Sequence, residues 1–121
     1  MIKRDLVFIE HILNAISNIQ LSIKGLSKED FIETQDLKDA NIRRIEIIGE
    51  AVKNISEDIK NKYPEIEWKK IIGTRDRLIH AYFRIDLDIM WEIIKNDLPI
   101  LKNKIIKIKN NLENSKDKDE F

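Results

Sequence analysis

The chain has 121 residues, room for one domain with a single core. It is 42% hydrophobic and 36% charged, with three Gly, two Pro and no Cys, which excludes a disulfide scaffold, a thiolate zinc site, an iron–sulfur cluster and a cysteine nucleophile. Two histidines are too few for a multi-histidine metal centre, and the 22 basic and 22 acidic residues cancel, so global charge announces no nucleic-acid partner.

The first predicted helix runs from about Lys3 to Lys24. Ile2, Leu6, Ile9, Leu13, Ile16 and Ile23 follow the helical period, and Gly25 suits the C-terminal cap. Ser27 to Asp30 reads as a capping box opening a short turn through Phe31. A second long helix is expected from about Gln35 to Lys62, with Leu37, Ile45, Ile48, Val52, Ile55 and Ile59 buried, and Tyr63-Pro64 ending it. Trp68, Ile71 and Ile72 form a short apolar face ahead of Gly73. Asp86 can cap a helix carrying Leu87, Ile89, Met90, Trp91 and Ile94, which Pro99 should break or kink near Asp97. A last helix, from about Asp97 to Leu112, carries Leu101, Ile105 and Ile108.

These elements predict an all-α, antiparallel bundle of four to five helices over residues 1–112, followed by a polar, disordered tail over 113–121. Few Gly and Pro also speak against an all-β fold, which needs a turn about every 8–12 residues. No uninterrupted apolar run approaches the roughly 18 residues of a membrane span, and Met1-Ile2-Lys3-Arg4-Asp5 does not open a signal peptide. A soluble, cytoplasmic protein without membrane contact is therefore expected.

The cations are unevenly chosen. Ile, Lys and Asn number 25, 16 and 10, a bias expected of AT-rich codons, so a single lysine says little. Only six Arg occur, and Arg75, Arg77 and Arg84 lie within ten residues. Where Lys is the default cation, clustered Arg suggests a need for the planar guanidinium fork. Three constellations can be weighed for chemistry. Glu10-His11 lacks the Glu-x-x-His spacing of a di-metal bundle, so His11 reads as a surface or boundary residue. Gly49 within a helix costs about 1 kcal/mol relative to Ala, so it implies close approach of another backbone. Glu50 beside it could then hold a basic group from the Arg75 region, or could equally be solvated.

The third is Arg75-x-x-x-x-His80-x-Tyr82. Arginine can bind a phosphate bidentately, histidine can move a proton near neutral pH, and tyrosine can donate or accept a hydrogen bond. Such groups can cleave a ribose–phosphate backbone without metal: one deprotonates the 2′-hydroxyl, one protonates the departing 5′-oxygen, and a cation stabilises the charge on phosphorus. The same residues also fit a polar helix end. On a continuous helix, positions five apart differ by about 140° and about 7.5 Å along the axis. Arg75 and His80 then share no face unless the helix is broken between them, and one copy looks like half a site. Asp76, four residues before His80, could orient its imidazole.

The sequence resembles the HepT-like toxins of the HEPN superfamily, small α-helical ribonucleases paired with minimal nucleotidyltransferase antitoxins. The likeness covers about residues 3 to 110. It includes Ile47-Ile48-Gly49-Glu50-Ala51, Pro64-Glu65-Ile66-x-Trp68, Gly73-x-Arg75-Asp76-Arg77-Leu78-Ile79-His80-x-Tyr82, Asp86-Leu87-Asp88-x-x-Trp91 and Asp97-Leu98-Pro99. Two departures from the family pattern are Ala81, where glycine is frequent, and Arg84, where a small residue is common.

The resemblance implies a toxin of a type II toxin–antitoxin system, a metal-independent endoribonuclease needing no cofactor. Its substrate would be RNA, transfer RNA being the family's suggestion. His80 would be the general acid or base and Arg75 the phosphate clamp, with Asp76 orienting and Arg77 on a basic rim with Lys69 and Lys70. Two copies of the motif would meet across a homodimer cleft. Tyr82 would contact substrate and would be the residue to which a cognate nucleotidyltransferase antitoxin attaches AMP. The alternative is a non-catalytic helical partner whose Arg–His–Tyr surface only binds a nucleotide or a nucleotidyltransferase.

Overall fold

The computed structural model describes residues 2–80 and 84–119. Eight α-helices are among them: α1 (Ile2–Ile23), α2 (Lys28–Glu33), α3 (Gln35–Asn54), α4 (Glu57–Lys62), α5 (Trp68–Ile72), α6 (Thr74–Leu78), α7 (Leu87–Glu92) and α8 (Leu98–Asp119). A π-helical turn, Ile93–Asp97, joins α7 to α8, and two-residue strands β1 (Ile79–His80) and β2 (Arg84–Ile85) pair antiparallel.

The fold is an all-α bundle, and its side-chain ties set the helix directions. Asp5 at the start of α1 meets Ser56 just past α3, and Ser22 near its end meets Asn41 early in α3. Glu10 meets Lys109 and Gln20 meets Lys102, so α8 also runs antiparallel to α1. The Glu10 carboxylate holds the Lys109 ammonium above its ordinary pKa by hydrogen bonding. The core draws on Ile9, Ile12, Ile16 and Ile19 of α1, Ile45, Ile48 and Val52 of α3, and Ile105 and Ile108 of α8. By length and mean hydropathy alone, α1 could cross a bilayer, the only helix among the described residues that could. Here one face of it packs on α3 and α8, while His11, Asn14 and Asn18 are exposed.

Local signals work as expected at the caps. Gly25 takes φ of 76°, the left-handed conformation that ends a helix without a Cβ clash. Ser27 and Asp30 form a reciprocal capping box, each accepting from the other's backbone N–H at 3.1 Å. Asp86 caps α7 by accepting from the Ile89 N–H.

Two expectations are corrected. The second long helix does not reach Lys62: it stops at Asn54, and Ser56 caps a separate α4. The cause is long-range, because the buried Asp5 carboxylate accepts from both the Ser56 N–H and its hydroxyl, each at 2.8 Å. That takes the N–H a continuing helix would need for its own ladder. The break or kink expected from Pro99 near Asp97 is there as the π-turn Ile93–Asp97, after which α8 begins at Leu98 with Pro99 in its first turn. The polar segment from Glu113, expected to be a disordered tail, has helical backbone through Asp119. Lys109 reaches Glu113 one turn later, at 4.0 Å, across that boundary.

Candidate active site

The segment carrying the Arg–His–Tyr motif is anchored from below. Trp68 is buried and its indole N–H donates to the Tyr63 carbonyl at 3.1 Å, which seats α5. Gly73 links α5 to α6, its N–H bonding the Lys69 carbonyl. Leu78, fully buried, pins the end of α6. The Ile79 N–H bonds the Arg75 carbonyl, the Asp86 N–H bonds the Leu78 carbonyl at 2.8 Å, and the chain leaves the helix as β1. His80 pairs in backbone register with Arg84.

The helix is therefore broken between Arg75 and His80, the condition under which the two need not face apart. This removes the geometric reason for reading one copy as half a site. It also removes the helical spacing that would set Asp76 under His80, since His80 lies in extended backbone beyond the end of α6. Asp76 is 85% exposed and lies 3.6 Å from the Arg75 guanidinium. Tyr82 and Ala81 lie outside the described residues.

Arg75 is positioned by a residue the sequence did not single out. Its Nε donates to Glu46 Oε1 at 3.1 Å, across 29 residues. Arg43 Nη1 stands 3.6 Å from the other oxygen of the same carboxylate. Glu50, one turn later, instead pairs with Lys53 at 3.1 Å in solvent. The sequence was right that α3 is closely approached at Gly49: a Cβ there would sit 3.6 Å from the Ile72 carbonyl oxygen. Of the two readings left open for Glu50, the solvated one holds, and the carboxylate that meets Arg75 lies one turn earlier. Glu46 shares a helix face with Glu50, and only the crossing point of α6 on α3 separates them.

Arg75 is 45% exposed and has five N–H donors, of which the contacts to Glu46 and Asp76 use two. Arg77 and Lys70 line one groove of about 290 Å³ over an apolar floor that includes Ile48, Ile71 and Leu98. Lys69 is not among its lining residues. His11 is exposed and sits edge-to-face with Phe8, their centroids 5.7 Å apart.

Residues 12–108 match the family described as ribonuclease HepT-like. The chain is 43% identical over 114 residues to a candidate RNase of Methanocaldococcus jannaschii, covering 93% of this chain and 98% of that protein. It is 42% identical over 102 residues to a candidate ribonuclease HepT of Thermococcus cleftensis, covering 84% and 93%. A gamma-glutamylcyclotransferase and candidate RNase of Methanocaldococcus jannaschii is 44% identical over 110 residues, and there the chain spans only half of the relative's length. No solved structure matches the chain. The extent and identity of these matches establish that the chain belongs to the ribonuclease HepT-like family.

Proposed function

We propose that this protein is a metal-independent endoribonuclease and the toxin of a two-gene toxin–antitoxin system acting in the cytoplasm. What supports the reading is the match to the ribonuclease HepT-like family, together with the helix end at Leu78, which removes the helical separation between Arg75 and His80. The mechanism is intramolecular transesterification. The RNA 2′-oxygen attacks the neighbouring phosphorus while a base takes its proton. The P–O5′ bond breaks, and an acid delivers a proton to the 5′-oxygen, leaving a 2′,3′-cyclic phosphate and a 5′-hydroxyl. His80 supplies proton transfer. Arg75, aimed by Glu46, stabilises the added charge on phosphorus. Arg77 adds a second guanidinium on the same short helix, in a groove where Lys70 and Lys104 are offset by Glu65, Glu67 and Asp97.

The assembly is a homodimer in which two copies of the motif flank a two-fold cleft, on the family resemblance and the self-complementarity such an axis provides. The partner is a nucleotidyltransferase antitoxin that silences the toxin at Tyr82. The Tyr82 oxygen attacks the α-phosphorus of ATP, pyrophosphate leaves, and the phenolic proton passes to a base. The added phosphate and adenosine would occupy and charge the groove that RNA uses.

The test is incubation of purified, unmodified protein with total RNA, with and without EDTA. Cleavage that resists EDTA and leaves cyclic phosphate ends is expected. Absence of cleavage by protein free of partner and adduct would favour the non-catalytic binding partner.

A further inference from the structure

Beside the candidate active site, α1 and α3 enclose a second groove of about 420 Å³. Ala15 and Ala40 line it, small enough to let a ligand approach the helices. Asn14 and Asn18 of α1 and Arg43 and Arg44 of α3 also line it, with no carboxylate among its lining residues. In a chain with as many acids as bases, that is a local cationic surface.

The groove is built rather than incidental. Asn41 is completely buried, an expense for an amide unless its hydrogen bonds are met. Its Nδ2 donates to Ser22 Oγ at 3.0 Å, and its Oδ1 accepts from Arg44 Nη1 at 2.9 Å. A buried polar pair thus fixes the Arg44 guanidinium. Arg43 joins the groove to the site already described, because the Glu46 carboxylate it faces at 3.6 Å also holds Arg75. Along α1 the groove wall continues through His11 to Phe8, and Arg4 stands 5.9 Å over the Phe8 ring.

We propose that this α1/α3 groove is a docking track for single-stranded RNA, leading away from the cutting site. The inference rests on the endoribonuclease reading. Guanidinium forks at Arg43 and Arg44 would take backbone phosphates, and the His11–Phe8 pair would stack an unpaired base. Such a track favours unpaired over duplex RNA, because stacking needs a base splayed from its partner.

The test uses an uncleavable, fully 2′-O-methylated RNA of about 12 nucleotides, a length within the usual range for single-strand sites, and fluorescence anisotropy across a salt series. Replacing both arginines, Arg43→Gln with Arg44→Gln, should weaken binding at least tenfold and reduce the salt slope by about 1.4, roughly 0.7 for each lost phosphate contact. Arg43→Gln alone, at a residue 69% exposed in its side chain, should reduce the slope by about half as much, and it guards against loss of the Arg44–Asn41 mount. His11→Ala should weaken binding about tenfold at pH 8 without changing the slope. If wild-type protein cleaves RNA while the arginine variants bind with unchanged affinity and slope, the track is overturned and the endoribonuclease reading stands. Should wild-type protein neither bind nor cleave RNA, both fall. Variants that bind RNA normally but lose the nucleotidyltransferase would make the groove a protein interface and overturn the RNA track.

Discussion

Glu46 holds Arg75 by a 3.1 Å hydrogen bond that joins α3 to α6 across 29 residues. The bond uses the Nε–H edge and leaves both terminal nitrogens of Arg75 free of Glu46, which acts on the reacting phosphate through Arg75 while its other oxygen faces Arg43. Replacing Glu46 with Gln should lower kcat for RNA cleavage about tenfold or more, the cost of misplacing a charge-stabilising group, with little change in thermal stability. Glu50→Gln, which removes only a solvent-exposed pair with Lys53, should leave kcat unchanged. Equal effects of the two substitutions would show that the Glu46 contact does not position Arg75.

His80→Ala should abolish cleavage, by about 10²- to 10⁴-fold for loss of proton transfer, while circular dichroism stays that of the wild type. Mixing Arg75→Ala chains with His80→Ala chains should restore part of the activity if the two-fold cleft draws one residue from each protomer. A wild-type rate in His80→Ala would remove the histidine from the mechanism.

Tyr82 should be the acceptor of AMP. Co-expression with the cognate nucleotidyltransferase should add one or more units of about 329 Da, located on Tyr82 by peptide mass spectrometry, with cleavage lost. Tyr82→Phe should escape modification. A neutralised complex with no adduct on Tyr82 would point to direct blocking of the cleft instead.

Asp5→Ala should destabilise the protein by about 1–3 kcal/mol, because the Ser56 N–H and hydroxyl both lose their buried acceptor. Chemical denaturation followed by circular dichroism checks this. Ser56→Ala, which leaves the Asp5 carboxylate the backbone N–H, should cost less.

Gly49→Ala should be tolerated. The new Cβ meets the Ile72 carbonyl oxygen at 3.6 Å, an ordinary contact, and alanine recovers as much as about 1 kcal/mol of helix propensity. A midpoint equal to or above the wild type is expected. A clear loss of stability would mean that α3 and α5 pack more tightly than this spacing.

By itself the sequence determined the helical class, the cores of α1, α3 and α8, and the caps at Gly25, Ser27 and Asp86. These depend on period and local hydrogen bonding, which neighbouring residues carry. The Arg75-x-x-x-x-His80-x-Tyr82 motif was legible for the same reason, as a short run of residue types. What the chain could not reveal locally was decided by contacts between distant segments. Asp5 breaks a helix 51 residues away by taking the Ser56 N–H. The strand pairing of Ile79–His80 with Arg84–Ile85 ends α6 where helical periodicity would have carried it on. Glu46 rather than Glu50 meets Arg75 because the crossing of α6 over α3 selects one turn of a face that both carboxylates share. A periodic pattern specifies which face a residue occupies, while the height at which a partner crosses that face is set only when the whole core packs.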